Sequence, residues 1–242
     1  MIARGRYSSE DIMSATFPRP PSDSPTAHRR RVVIGLAAAP LALSLGHARA
    51  QGGTDITLPP QQTEGGMPLM QALKARRTSR SFAPQALTPQ TLSNLLWAAF
   101  GVNRLDGHRT APSARNWQEI DIYVAAEGGA WVYDATGHAL RRVVAEDVRP
   151  LTGTQGHARV APATLVYVAD TLRMTGASEA MRTELAAADT GFIAQNAYLY
   201  CASEGLATVV FASIDRERLA QALKLRAAQR IVLAQSVGQR AR

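Results

Sequence analysis

The chain has 242 residues, 46% hydrophobic and 19% charged, with a formal net charge of +8. That is one ordinary globular domain plus an appendage, and the single cysteine, Cys201, excludes an intramolecular disulfide framework or a cysteine-only metal site. The first 50 residues hold seven Arg against three Asp or Glu, so half of the excess charge lies there; the remainder is mildly basic, with no Lys/Arg tract and few aromatics, which excludes nucleic-acid binding.

The appendage is N-terminal. His28-Arg29-Arg30-Arg31 precedes an uncharged Ala- and Leu-rich run over 32–45, and Ala48-Arg49-Ala50 forms a small-x-small cleavage pattern before Gln51. The run is too short to span a bilayer comfortably, so residues 1–50 read as a cleaved export signal and not as a membrane anchor. Paired arginines ahead of a modestly hydrophobic run point to the twin-Arg route and a periplasmic mature protein, although Val32-Val33 replaces the usual aromatic-Leu pair. Ordinary secretion, or an uncleaved N-terminal helix, is the alternative.

Residues 51–64 read as an extended, Pro-punctuated lead-in to a domain over 65–242. Leu69, Met70 and Leu73 predict a short amphipathic helix that delivers Arg76 and Arg77 at its end. A second helix has Thr88 as N-cap, Pro89 at its first position, a stripe of Leu92, Leu95, Leu96 and Ala99, and Gly101 at its end. Ile120, Ile122 and Val124 alternate with Asp121 and Tyr123 as a half-buried strand, and Gly128-Gly129 turns the chain into Trp131-Val132-Tyr133 as a hairpin or meander arm. Residues 165–169 form a continuous apolar strand of the interior type. Residues 178–204 predict a long helix, apolar on much of its circumference, with small residues Ala187, Gly191, Ala194 and Ala197 at helical spacing. That stripe suits either a close approach to another helix or packing on the chain's own sheet. A strand over 208–211, a short helix capped by Asp215 and a last strand over 231–237 complete the domain. Helices and strands alternate irregularly, which indicates α+β and not a doubly wound sheet.

The chemistry concentrates in few places. Arg76-Arg77-Thr78-Ser79-Arg80-Ser81 puts three planar guanidinium forks and three hydroxyls within six residues, a set suited to phosphate; on its own, such a segment also reads as a solvated basic face. There is no Ser/His/Asp constellation in a recognisable setting, no HExxH, no Walker loop and no GxGxxG. His108, His138 and His157 are scattered; His138 reads as a solvated turn residue, and His108 is a weak candidate for the mouth of a site. Cys201 reads as a buried apolar thiol and Trp117 as core.

Three blocks, 73–82, Arg109-Thr110-Ala111-Pro112-Ser113-Ala114-Arg115-Asn116-Trp117-Gln118, and Glu204-Gly205-Leu206 with the strand after it, resemble in order and spacing the nitroreductase family of flavin enzymes, over about residues 65–238. The first looks like that family's Arg-Arg-Ser-x-Arg element, the second like its Pro-Ser-x-x-Asn-x-Gln loop, and the third like its helix ending in Gly-Leu before a strand that passes the flavin. The resemblance implies an α+β nitroreductase-like fold: a central, mostly antiparallel sheet flanked by helices, in an intertwined homodimer whose long helix packs on its copy. It implies FMN, with Arg76, Arg77, Thr78 and Arg80 on the phosphate and ribityl chain. Pro112, Ser113 and Ala114 would line the isoalloxazine edge from the partner subunit, supported by Asn116. The backbone of Val210, Phe211, Ala212 and Ser213 would pass flavin N5 and O4. Ala212-Ser213 departs from the Glu-Gly or Arg-Gly pair common there, so only a backbone contact is implied. Asp189 is either a neighbour of the flavin's pyrimidine end or a helix-surface carboxylate.

The implied function is ping-pong transfer of two electrons from a reductant such as NAD(P)H to a small-molecule acceptor, a nitroaromatic or quinone. Without a Rossmann fingerprint, the nicotinamide would visit the flavin site transiently. An azoline/peptide-type FMN dehydrogenase and a non-catalytic flavin-binding protein are the alternatives.

Overall fold

A computed structural model describes residues 54–241. The expected export signal lies outside the described residues.

The core is one seven-stranded sheet, and every neighbouring pair in it is antiparallel. In chain order the strands are β1 (Ile56–Thr57), β2 (Ile120–Ala126), β3 (Gly129–Asp134), β4 (Ala139–Val144), β5 (Ala163–Asp170), β6 (Ala207–Phe211) and β7 (Gln229–Gly238). Across the sheet they run β1-β4-β3-β2-β5-β7-β6. The helices are α1 (Leu69–Ala75), α2 (Pro89–Phe100), α3 (Gly156–Val160), α4 (Glu179–Ser203) and α5 (Arg216–Ala222). The α+β expectation holds.

Strand β5 sits mid-sheet and is buried along its whole length. Its side chains alternate between two cores. Leu165 and Tyr167 face the core built with Leu95, Leu96 and Phe100 of α2 and Ile193 and Ala197 of α4. Val166 and Val168 face the opposite core with Leu219, Leu223, Val209 and Phe211. Polar side chains buried between β5, β7 and β6 satisfy one another. The Tyr167 hydroxyl donates to Gln235 Oε1 at 2.6 Å, and Gln235 Nε2 donates to Thr208 Oγ1 at 3.0 Å.

Helix α2 starts as predicted: the Thr88 side chain accepts from Thr91 N–H and Pro89 takes the first helical position. Gly101 ends it in extended and not left-handed conformation, and its role is steric, since a Cβ there would lie 2.4 Å from Trp97 Cδ1. Ser178 and Asp215 cap α4 and α5 by accepting from Met181 and Arg218 N–H. At the β2–β3 turn, Gly129 has φ +130°, and a Cβ would lie 2.3 Å from the Val144 carbonyl oxygen.

Three expectations are corrected. On α1 the buried residue is Ala72, while Leu69, Met70 and Leu73 are 62, 75 and 44% exposed. The amphipathic pattern is real, but its apolar side faces away from the chain's own core. On α4, Ala194 and Ala197 are buried in the chain's own core, whereas Ala187 and Gly191 are exposed, so the small-residue stripe is split between two faces. His138, read as a solvated turn residue, is a latch. Tyr133 O–H meets His138 Nδ1 at 3.0 Å, His138 Nε2 lies 2.7 Å from Ser93 Oγ, and Ser93 O–H donates to Pro59 O at 2.6 Å. With the ring proton on Nε2, each polar atom along the chain is used, and the lead-in is tied to α2 and β3.

Removing the imidazole leaves the hydroxyls of the buried Tyr133 and Ser93 short of a partner, at a cost of about 1–3 kcal/mol. His138→Ala is therefore expected to melt several degrees below the parent; an unchanged midpoint by calorimetry would contradict the latch.

Candidate functional site

Helix α1 ends at Ala75, and the chain continues as an extended segment along the sheet's β6 edge. Ser79 N–H donates to Thr208 O at 2.9 Å, Ala83 N–H donates to Gln239 O at 2.9 Å, and Phe82 bridges to Arg240. This lays Arg76, Arg77, Thr78 and Arg80 beside Val210 and Phe211, joining the first and third sequence blocks.

The join is made by Tyr198, a residue that the sequence marks only as part of the apolar α4. Its hydroxyl accepts from Val210 N–H at 2.9 Å and lies 3.1 Å from Thr78 Oγ1. Its one proton is thus available to Thr78. The Arg76 guanidinium stands 5.4 Å from the Tyr198 ring centroid, in cation–π range. Val210 N–H is consequently committed to the protein, and the strand beyond it supplies whatever backbone donors face a ligand. Among the described residues none of Arg76, Arg77 and Arg80 pairs with a carboxylate. Three guanidiniums on one short segment without counter-charge form an anion-binding surface.

Past β6, the exposed Ala212 and Ser213 form a shelf beside the loop leading into α3. Ser213 O accepts from Thr154 N–H at 2.9 Å, and Ala212 O accepts from Ile214 N–H at 2.9 Å. His157 packs edge-on against Phe211, centroids 5.3 Å apart, and its Nε2 is buried without a hydrogen-bond partner. Burial, and then the nearby Arg80 charge, hold His157 below the ordinary histidine range. Neither Tyr198 nor His157 carries a local motif; only the tertiary fold brings them here.

The 112–118 loop is built differently. Arg115, Asn116 and Gln118 have φ of 50, 53 and 47°, three left-handed non-glycine residues within four positions. Each costs on the order of 1–3 kcal/mol unless its surroundings hold it. The restraints are visible. Ala114 N–H donates to Asp189 Oδ2 at 2.9 Å, Gln118 N–H donates to Ser113 Oγ at 2.8 Å, and Gln118 Nε2 donates to Asn116 Oδ1 at 2.9 Å and Gly107 O at 3.0 Å. Asn116 thus supports the loop through its side chain. Trp117 is half-buried and carries the Arg115 guanidinium 5.3 Å from its ring, so it is not a core residue. Pro112 is exposed, and His108 joins it, Ser113 and Asn116 in lining a 220 Å³ cavity.

Asp189 is buried, not a surface carboxylate. It is accompanied by Glu119, fully buried, whose Oε2 accepts from Ser113 O–H at 3.0 Å. Burial, followed by the Asp189 charge, pushes the Glu119 carboxyl up to about 7. Glu119 escapes a sequence reading because it looks like the polar residue that opens an alternating strand.

The two halves of the site do not share an anchor. The loop hangs on Asp189 and the arginine segment on Tyr198, nine residues along α4 and so about 13 Å apart on its axis.

Residues 73–239 match the nitroreductase family. A nitroreductase-like protein of Methanocaldococcus jannaschii is 29% identical over 168 residues, covering 65% of this chain and 85% of that protein. The crystal structure of a nitroreductase-like protein from Ralstonia eutropha JMP134 is 43% identical, with a TM-score of 0.75, and covers 78% of this chain and 90% of that one. The NADPH:FMN oxidoreductase from Vibrio harveyi complexed with NAD+ shares the fold at 19% identity and a TM-score of 0.56, over 72% of this chain and 69% of that one. The basic segment, the left-handed Pro-Ser loop, the long helix α4 and the β6 shelf all lie within the residues of the family match, and the chain belongs to the nitroreductase family.

Proposed function

We propose that the protein is an FMN-dependent oxidoreductase that takes two electrons from a reductant such as NAD(P)H and passes them to a nitroaromatic, a quinone or a similar acceptor. The observation that carries this reading is the set of unpaired guanidiniums Arg76, Arg77 and Arg80, held by Tyr198 against the strand that carries Val210. The donor set fits a flavin phosphate: permanent cations and a hydroxyl, with no carboxylate to oppose them. When bound, FMN supplies the hydride and electron chemistry; the protein contributes binding, orientation and exclusion of water. Arg76 and Arg80 neutralise the phosphate, Thr78 holds the ribityl chain, and the exposed Ala212-Ser213 backbone lies where the ring edge would pass. The side chains there bring no charge, so the acceptor is selected by shape and by Phe211 and His157 nearby.

The purified protein is expected to show flavin absorbance that bleaches on anaerobic addition of NADH or NADPH and returns with a quinone or nitroaromatic. A yellow protein whose flavin passes no electrons to any acceptor would favour the non-catalytic alternative. Colourless protein that binds no FMN would overturn the proposal. Each charge-assisted phosphate contact is worth roughly 1.5–3 kcal/mol, so Arg76→Ala with Arg80→Ala is expected to weaken FMN binding by at least about 100-fold with the fold intact. Retention of flavin as in the parent would refute the phosphate assignment.

We further propose a homodimer in which the 112–116 loop of one chain completes the site of the other. Leu69, Met70 and Leu73 of α1 and the half-exposed Phe192 of α4 are large apolar side chains left exposed on two helices that pack together. Phe192→Asp, on the exposed face and outside the chain's own core, is expected to yield monomer that has lost FMN. Light scattering showing a flavin-loaded monomer at micromolar concentration would contradict this arrangement.

Export to the periplasm is likewise proposed, from the 28–50 segment alone. Among the described residues no helix is long and apolar enough to cross a membrane. Replacing Arg29, Arg30 and Arg31 together by Lys is expected to retain the precursor inside the cell; unimpaired export would exclude the twin-Arg route.

A further inference from the structure

Glu119 is more deeply enclosed than its neighbours and is only half satisfied. Its Oε2 accepts the Ser113 hydroxyl proton, which is directed there because Ser113 Oγ already accepts from Gln118 N–H. Its Oε1 is buried with no hydrogen-bond partner. Facing it from α4 is the Asp189 carboxyl, which accepts from Ala114 N–H. Two buried carboxylates side by side cannot both stay ionised, whereas one proton between them turns repulsion into a hydrogen bond. Burial raises the Glu119 carboxyl, so the proton belongs on Glu119.

Among the described residues no cation pairs with Glu119 or Asp189. Arg109 is engaged by Gln118 Oε1 and Phe100 O, and Arg173 by Gln118 O and Asp121. From β5, Asp170 offers Glu119 O only its backbone N–H, and its carboxylate is held by Arg226.

We propose that Glu119 is a positioning residue that acts as a carboxylic acid: its proton bridges to Asp189 while its other edge holds Ser113, and this link fixes the strained 112–118 loop against α4. The loop is the part that would line the flavin, so the consequence for FMN rests on the flavin reading above; the consequence for loop order does not.

Glu119 retains in the folded state, up to about 7, a proton that an ordinary carboxyl near 4.5 releases. The unfolded chain therefore binds fewer protons across that window, and the folded state loses stability as pH rises from about 4.5 to about 7, then levels off. If the fraction of ordered loop follows the fraction of protonated Glu119, FMN binding weakens about tenfold between about pH 6 and about pH 8.

Two measurements across about pH 5 to about pH 9 test this on the dimeric protein: thermal melting without added FMN, and the FMN dissociation constant by flavin fluorescence. Glu119→Gln keeps the shape in a form that never ionises. It is expected to lose the parent's fall in melting temperature across the window and the parent's weakening of FMN above neutrality. Identical pH profiles for parent and Glu119→Gln in both measurements would overturn the proposal. Asp189→Asn provides an independent check, since removing the facing charge is expected to shift the parent's melting transition to lower pH; an unmoved transition would also overturn it. The expected melting profiles in a protein that binds FMN at no pH would refute the flavin reading and leave the Glu119 link standing.

Discussion

A phenol hydroxyl has one proton to give and lone pairs to receive, and Tyr198 uses both to close the basic half of the site. It takes the Val210 N–H from an edge strand and faces Thr78 on the segment that carries the arginines. β6 is the outermost strand of the sheet, so its free edge would otherwise present main-chain donors to solvent. The 76–83 segment covers part of that edge, and Tyr198 fixes the height at which it runs. The permanent charge of three guanidiniums is thereby concentrated over one strand, and none of the three pairs with a carboxylate among the described residues. Loss of the hydroxyl alone would strip a partner from both Val210 and Thr78.

The same helix carries the other half. Asp189, two and a half turns before Tyr198, terminates the 112–118 loop by accepting Ala114 N–H, with Glu119 beneath it. α4 is thus a rigid spacer between an anion-binding end and a loop-holding end. In the proposed dimer, a flavin long enough to need both would be served by one chain's arginines and another chain's loop. The same proposal would cover the apolar residues Leu69, Met70, Leu73 and Phe192, which are exposed in the single chain.

Features governed by short-range physics were legible in the sequence. Thr88-Pro89 and Asp215 mark helix starts because a cap is a contact over three residues. β5 reads as interior because residues 165–169 form an unbroken apolar run. Features governed by partners far along the chain were not. The period that put Leu69, Met70 and Leu73 on one face says nothing about what that face meets. His138 follows a turn glycine, and only the return of the lead-in past α2 buries it. β1 is two residues long, too short for any periodicity, and is defined by its pairing with β4. Of the site, the charged and loop residues were evident as motifs. Tyr198, Glu119 and His157 were not, because their roles come from tertiary neighbours at unrelated positions.

The claim that a complete site requires two chains is tested most directly by subunit complementation. One variant carries Arg76→Ala and Arg80→Ala; the other carries a disrupted loop, Pro112→Gly with Ser113→Ala. Each is expected to purify without flavin. Co-expressed with different tags and isolated as the mixed dimer, they are expected to recover one FMN per dimer, because one of the two sites then draws an intact arginine segment from one chain and an intact loop from the other. A mixed dimer as empty as its parents would show that both halves of each site come from the same chain.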